Sequence, residues 1–303
     1  MTALRKSTNL RRRSRLFDFA CTAPALLLFI LFTYYPILEL FRISLTDWNL
    51  SRSTYKYVWF KNYQWLFAGR GVNAFLSSLR VTVVYTLGEV MVTLLGGILL
   101  ALLFDRMTRW FGAMRVALVM PKYILVSSTA LVFMWLYNDL YGVFNYVLSL
   151  LGLPGINWLG SRETALTSLI LFSGWRTVGY AMLIYLSAIK GISGQYLEAA
   201  SIDGANGFQQ FAYIKLPLLA PTTLFLVVTT VTSSMKVFQA VDILTLGGPY
   251  KSTMVLVYQI YNLAFIDHRL DRAAAVGCVF FVLLLVFTAI TMKWSNSKVS
   301  YDA

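Results

Sequence analysis

Histidine occurs once in this chain, at His268, and cysteine twice, at Cys21 and Cys278. So sparse a supply of imidazole and thiol leaves no cluster with metal-ligand spacing and no disulfide framework. Both cysteines sit inside apolar stretches, where a free thiol behaves as a small packing residue. No Gly-x-Ser-x-Gly elbow appears, and His268 stands apart from other reactive side chains. An intramembrane enzyme has nothing to work with, and no filter-like motif suggests a channel.

Charge is also scarce. Charged residues make up 13% of the 303 residues and hydrophobic residues 58%, against about 25% and about 45–50% in ordinary globular chains. A mean hydropathy of +0.66 agrees. One or two soluble domains, the default for this length, are therefore excluded. The chain reads as an all-α integral membrane protein. Its net charge of +13 does not imply nucleic acid, because the basic residues are scattered among apolar runs and form no basic-aromatic face. Membrane chains collect Lys and Arg at their cytoplasmic edges.

A phosphate loop is missing too. The stretch "GGPYKST" ends in Lys-Ser-Thr, but Tyr250 stands where glycine should precede the lysine, and Pro249 removes a backbone donor. Any ATP must be hydrolysed by another chain.

What is present is a series of apolar runs. About 20 residues of helix cross about 30 Å of hydrocarbon. Six stretches qualify, at 17–41, 81–104, 115–137, 165–189, 217–240 and 273–292. Together they form a permease-like region over 17–292, with a basic tail at 1–16, a polar loop at 190–216 and a C-terminal tail at 293–303. The run from Phe17 to Phe41 follows a basic N-terminus, yet it exceeds a signal-peptide core and lacks a small-residue cleavage site. It reads as a retained first span.

Orientation follows from Lys and Arg. With the N-terminus inside, the inner segments hold 13 basic residues and the outer ones 10, but the inner segments are far shorter. The cluster Arg11, Arg12, Arg13 and Arg15 decides the matter. Both termini and the 190–216 loop are then cytoplasmic. The outer segments "WNLSRSTYKYVWFKNYQWLF", "YGVFNYVLSLLGLPGINWL" and "YQIYNLAF" are aromatic and amphipathic. They suit interfacial helices, lids over a cavity, or a partner's contact surface.

The most informative stretch is "YLEAASIDGANGFQQFAYIKLP", Tyr196 to Pro217, a polar insert between two apolar runs. Ser193 is placed to cap a helix through its hydroxyl. Ala199 and Ala200 permit close backbone approach, and Asp203-Gly204 ends the helix where glycine adopts the left-handed conformation. A second short helix from about Gly207 to Lys215 leads into Leu216-Pro217. Physical reasoning alone leaves two readings, an ordinary loop and a device that passes a push from a cytosolic partner into the spans.

The spacing Glu198-Ala199-Ala200, Gly204, Ile214-x-Leu216-Pro217 resembles the E-A-A…G…I-x-L-P signature of ABC importer permeases. The likeness extends along most of the chain. "MPKYILVSSTALVFMWLYNDLYGVFNYVLSLLGL" is similar to the third span and G-x-x-N loop of sugar-importer permeases, and "LTLGGPYKSTMVLVYQIYNLAF" to the G-G-P loop of their first subunit. The nearest likeness is to the small six-span permeases for glycerol-3-phosphate, oligosaccharides and disaccharides. The resemblance implies a type I importer fold of six transmembrane helices in a bacterial inner membrane.

It also implies roles. Glu198, Ala199, Ala200, Asp203 and Gly204 would lie on a coupling helix that enters a groove of an ATPase, with Glu198 meeting a basic group there. Gly247, Gly248 and Pro249 would lie near an external solute-binding protein. The implied partners are a second permease in a heterodimer, two ATP-binding subunits, that binding protein and membrane lipid. ATP and Mg would be used by the ATPases, leaving this chain without a cofactor or metal.

Charges inside spans are costly unless they meet a cavity or a partner. Glu89, Lys122, Arg176 and Lys236 qualify. Arg176 lies about 14 residues, or about 21 Å, from the inner end of its span. With Trp175, Tyr180, Lys236 and Gln239 it is a candidate for the solute path, or else a charge paired between helices. Lys122 suits a snorkelling or structural charge. A secondary transporter with no ATPase partner would usually show an inverted repeat or a carboxylate relay, and Glu89 stands alone.

Overall fold

The computed structural model describes residue 19 and residues 21–52, 54–105 and 112–298, apart from the side chains of 292 and 294–298. The arginine-rich tail expected over 1–16, Arg106 and Arg109, and residues 299–303 lie outside the described residues. In chain order the helices begin with α1 (Cys21–Ser44), α2 (Lys61–Ala68) and α3 (Val72–Asp105). Next come α4 (Gly112–Lys122), α5 (Val126–Leu136), α6 (Val143–Leu150) and α7 (Ala165–Gly191). The polar insert supplies α8 (Gly194–Ile202) and α9 (Gly207–Leu218). The chain continues with α10 (Ala220–Ser234), α11 (Gln239–Leu244), α12 (Leu256–Ile266) and α13 (Leu270–Lys298). Among the described residues the only strand-like pairing is one antiparallel bridge, Thr46 to Tyr57.

Four helices, α1, α3, α7 and the Leu270–Thr291 part of α13, are each long and apolar enough to cross a membrane. The number reaches six if α4 with α5, and α9 with α10, each count as one bent span. The third and fifth apolar runs are therefore not straight rods. Between α4 and α5 the axis turns by 100°. Pro121 sits in a tight turn, Met120–Lys122, where its missing N–H interrupts the helical ladder. Leu125 then swings into extended backbone before α5 restarts. Between α9 and α10 the bend is 62°, beside Pro217 and Pro221.

The fifth run also ends early. Its straight part stops at Ser234, and Lys236 falls in an irregular turn before α11 begins at Gln239. The Thr/Ser-rich end of α10 explains the stop. Thr229, Thr232, Ser233 and Ser234 each donate to a carbonyl three or four residues back, which competes with regular helix.

By contrast α3 starts at Val72, nine residues ahead of the expected 81. Arg80 did not mark its edge, because Phe75 and Ser78 in the added turns are buried. At 34 residues the helix is about 51 Å long and overshoots the hydrocarbon.

The spine of the fold is the pair α3 and α7. Helices in lipid gain little from hiding apolar surface, so close packing and polar bonds across the interface hold them. A side chain at Gly97 would place its Cβ 2.6 Å from that of Ala181, and the two helices approach through that gap. Tyr85 Oη lies 2.6 Å from Ser173 Oγ, and Thr93 Oγ1 lies 2.7 Å from Thr177 Oγ1. Each such bond contributes about 0.6–2 kcal/mol. On another face of α7, Gly179 admits α4 so closely that an added Cβ would strike the Leu118 carbonyl.

Apolar packing forms three clusters along this spine. One, around Met182, Tyr185 and Leu226, lies toward the insert. A second, around Phe133, Phe172 and Tyr258, lies toward the opposite end. The third joins α2, α12 and α13 around Leu66 and Val276. Helix α1 stands apart, touching α13 through its last turns, where Phe41 meets Phe281 at 6.2 Å.

Candidate functional site

Two regions carry chemistry, the insert and a polar cavity within the helices. In the insert, α8 begins after Ser193 in extended backbone, but the Ser193 hydroxyl makes no cap bond. The expected cap is absent, and Ser193 instead accepts from Tyr196 N through its carbonyl. The end of α8 matches the expectation from Asp203-Gly204. Gly204 adopts φ +80°, Gly204 N donates to Ser201 O at 3.1 Å, and Ala205 N to Ala200 O at 2.9 Å. That pair of bonds closes the last carbonyls of the helix, and only the glycine takes the left-handed turn without cost.

Asn206 then opens α9 with a reciprocal cap. Its Oδ1 accepts from Gln209 N at 2.9 Å, and Gln209 Oε1 accepts from Asn206 N at 2.8 Å. Gln210 Nε2 donates back to Ser201 Oγ at 3.0 Å and clips the two helices together. Lys215 pairs with Asp105 at the end of α3, 3.3 Å away. The insert is therefore fixed within itself and tied to the bundle.

Its outward surface is bare. Glu198, Ala199, Asp203 and Gly204 are exposed, Ala200 is half-buried, and Glu198 makes no ion pair among the described residues. Large apolar side chains are exposed beside them: Ile202 by 87%, Phe208 by 76% and Tyr213 by 78%.

The cavity, of about 330 Å³, lies where α3, α4, α7 and the break after α10 meet. Arg176, Lys236 and Gln239 line it, as do Glu89, Lys122 and Tyr85. The irregular turn after Ser234 brings Lys236 and Gln239 together here, and the bend after Pro121 brings Lys122. Glu89 is buried at 5% exposure, within bonding reach of the Tyr85 hydroxyl and within the electrostatic field of Lys122 and Arg176. It forms no ion pair among the described residues. Arg176 donates through Nη2 to the Ile124 carbonyl at 2.9 Å, which the break before α5 leaves free. Arg176 thus bonds a backbone carbonyl of a neighbouring segment, forms no ion pair among the described residues, and lines the cavity.

Trp175 and Tyr180 do not line the cavity. Neighbours on a helix point about 100° apart, so Trp175 turns outward, 42% exposed, and packs on Phe133 with ring centroids 4.8 Å apart. Tyr180, one turn below Arg176, lies under the Lys122 ammonium at 5.8 Å. Glu89 and Lys122 were visible as charges within apolar runs, but nothing in their spacing shows that they meet. The hydroxyl of Tyr85 gave no signal at all.

At the opposite end, Gly247 has φ +76°, and a Cβ there would lie 2.9 Å from the Tyr258 ring. Gly248-Pro249 follows with a cis peptide bond. The buried Thr253 hydroxyl lies 2.7 Å from Gly248 O and 2.8 Å from Thr245 Oγ1. Tyr250, at the tip, is 88% exposed. The G-x-x-N loop is fastened by Asn145, whose amide donates to Asp139 O and Ile156 O and accepts from Ile156 N and Trp158 Nε1.

Bent and straight spans surround a polar cavity, and a two-helix insert projects from one end. Residues 93–301 match the family described as "Binding-protein-dependent transport system inner membrane component", and the chain belongs to that family. It is 32% identical over 286 residues to the probable ABC transporter permease protein YurN of Bacillus subtilis, covering 93% of this chain and 97% of that one. It is 29% identical over 292 residues to the sn-glycerol-3-phosphate transport system permease protein UgpA of Agrobacterium fabrum, covering 95% and 97%. Among solved structures, a chain of a bacterial ABC transporter involved in import of the acidic polysaccharide alginate superposes with TM-score 0.81 at 24% identity, over 98% of this chain and 100% of that one. That likeness concerns the fold, a type I importer permease. The protein is a multi-pass inner-membrane permease component of an ABC importer.

Proposed function

We propose that this chain forms half of a translocation pathway for a sugar or sugar-like solute and that ATP hydrolysis elsewhere drives it through α8. The relatives named for sn-glycerol-3-phosphate and trehalose/maltose transport support the solute class. In this reading a second, homologous permease completes the path, and two ATP-binding subunits use ATP and Mg. An external solute-binding protein docks near Gly247, Gly248 and Pro249. Both termini and the insert face the cytoplasm.

The observation that carries the reading is the build of the insert. It is internally hydrogen-bonded and tied to α3 by Lys215–Asp105, yet it leaves Ile202 and Phe208 exposed. A rigid element with an apolar surface is suited to seat in a partner's groove and transmit force. Closure of the ATPases on nucleotide would press on α8, and α7 and α9 would carry the motion into the cavity. Glu198 would meet a basic group in that groove, with Ala199, Ala200 and Asp203 along the contact.

Gly204 offers the test. Its φ of +80° strains any L side chain, while the space around it is open, so Gly204→Val should disturb the turn without a clash. The left-handed conformation costs an L residue about 1–2 kcal/mol, and ATP-driven uptake should fall about tenfold or more with membrane insertion unchanged. Gly204→Asn, which tolerates the left-handed region, should retain most uptake. Normal uptake with Gly204→Val would overturn the coupling role.

A further inference from the structure

The polar cavity has an imbalance of charge. Three cations line it, Lys122, Arg176 and Lys236, and one carboxylate, Glu89, which leaves a formal excess of two positive charges. Asp242 on α11 does not correct this, since it does not line the cavity.

Nor are the cations absorbed by bonds within the chain. Arg176 uses Nη2 on the Ile124 carbonyl, and its Nε has no partner, so the guanidinium keeps donors to spare. Lys122 rests over the Tyr180 ring. Lys236, exposed into the cavity, has no ion pair among the described residues. Unpaired charge at membrane depth is retained where it serves a solute or ion path. A guanidinium fork and an ammonium on one wall are the groups that hold carboxylate or phosphate oxygens.

We infer that the solute held here is an anionic sugar, one bearing a carboxylate or a phosphate. Its anionic group sits between Arg176 and Lys236, Gln239 and Glu89 take hydroxyls, and Phe238 offers an apolar face to the ring. The part of the cavity that this chain lines is about 330 Å³, already within the range of ligand pockets, about 300–1,000 Å³. The inference rests on the import reading above and narrows it.

The test is calorimetric titration of the purified transporter, with its partner permease and ATPases. Three probes are used: a uronate-containing disaccharide, a disaccharide phosphate and the neutral parent disaccharide. At least one anionic sugar should bind about tenfold or more tightly than the neutral one, the scale of a charge-assisted hydrogen bond. The comparison of the two anionic probes tells carboxylate from phosphate. Lys236→Gln should reduce the anionic-to-neutral affinity ratio about tenfold. That variant, on a side chain with no ion pair to lose, tests the inference even if Arg176→Gln fails to fold.

Equal affinity for neutral and anionic sugars, or a ratio unmoved by Lys236→Gln, would overturn the inference. ATP-driven uptake of a neutral sugar alongside that result leaves the import reading standing. Binding of none of the three probes also overturns it, and the import reading is then judged by the Gly204 variants alone.

Discussion

The insert and the cavity are incomplete in opposite ways. In the insert a set of backbone and side-chain groups bond one another, through the bonds that close α8, the Asn206–Gln209 cap and the Gln210–Ser201 clip. Its apolar side chains Ile202 and Phe208 lie open. In the cavity the apolar groups are packed into the surrounding clusters, while, among the described residues, Lys236 forms no ion pair and Arg176 Nε has no hydrogen-bond partner. A surface that lacks apolar cover invites a protein partner, and an interior that lacks counter-charge invites a polar ligand.

Several substitutions would break or sharpen that contrast. The largest effect is expected from a charge on the bare face. Ile202→Asp or Phe208→Asp should weaken assembly with the ATPase subunits by about 2 kcal/mol or more, the cost of losing a buried interface anchor, with the isolated subunit unaffected. Co-purification of the subunits measures this, and intact assembly would contradict the partner reading of the insert. In the cavity, Tyr85→Phe removes the hydroxyl shared with Ser173 and should lower thermal stability by about 0.6–2 kcal/mol, seen as a reduced Tm of the purified protein. Gln210→Ala should loosen the two insert helices by about 0.5–1.5 kcal/mol, read as faster amide exchange across Ala205–Gln209. Ser193→Ala should change stability by less than about 0.5 kcal/mol, because the hydroxyl makes no cap bond.

Much of this was legible from residue order, though unevenly. The insert was readable because local chemistry decides it: Asp203-Gly204 ends a helix wherever it stands, and the E-A-A spacing marked the place. Ser193 misled because a capping residue type fixes the backbone position without guaranteeing the side-chain bond. The long apolar runs revealed spans, but an apolar run carries no sign of direction. The 100° turn after Pro121 therefore lay hidden inside an unbroken hydrophobic stretch.

The cavity was the hardest part. Arg176, Lys236 and Gln239 line one cavity, whereas Trp175, adjacent in number, is turned away from it, because a helix turns adjacent residues apart. Glu89 and Lys122 join the group only through the α3–α7 contact and the α4–α5 bend, which are tertiary facts. Composition showed that charges were present in the membrane, and only packing showed that they face one another.

The central claim is that α8 is the surface an ATPase grips. The most direct measurement places a photo-crosslinking side chain at Ala199 in the assembled transporter, with Leu140, 87% exposed at the opposite end, as the control position. A crosslink from position 199 to the ATP-binding subunit, and none from position 140, is the result this account predicts. No crosslink from 199, or an equal one from 140, would contradict it.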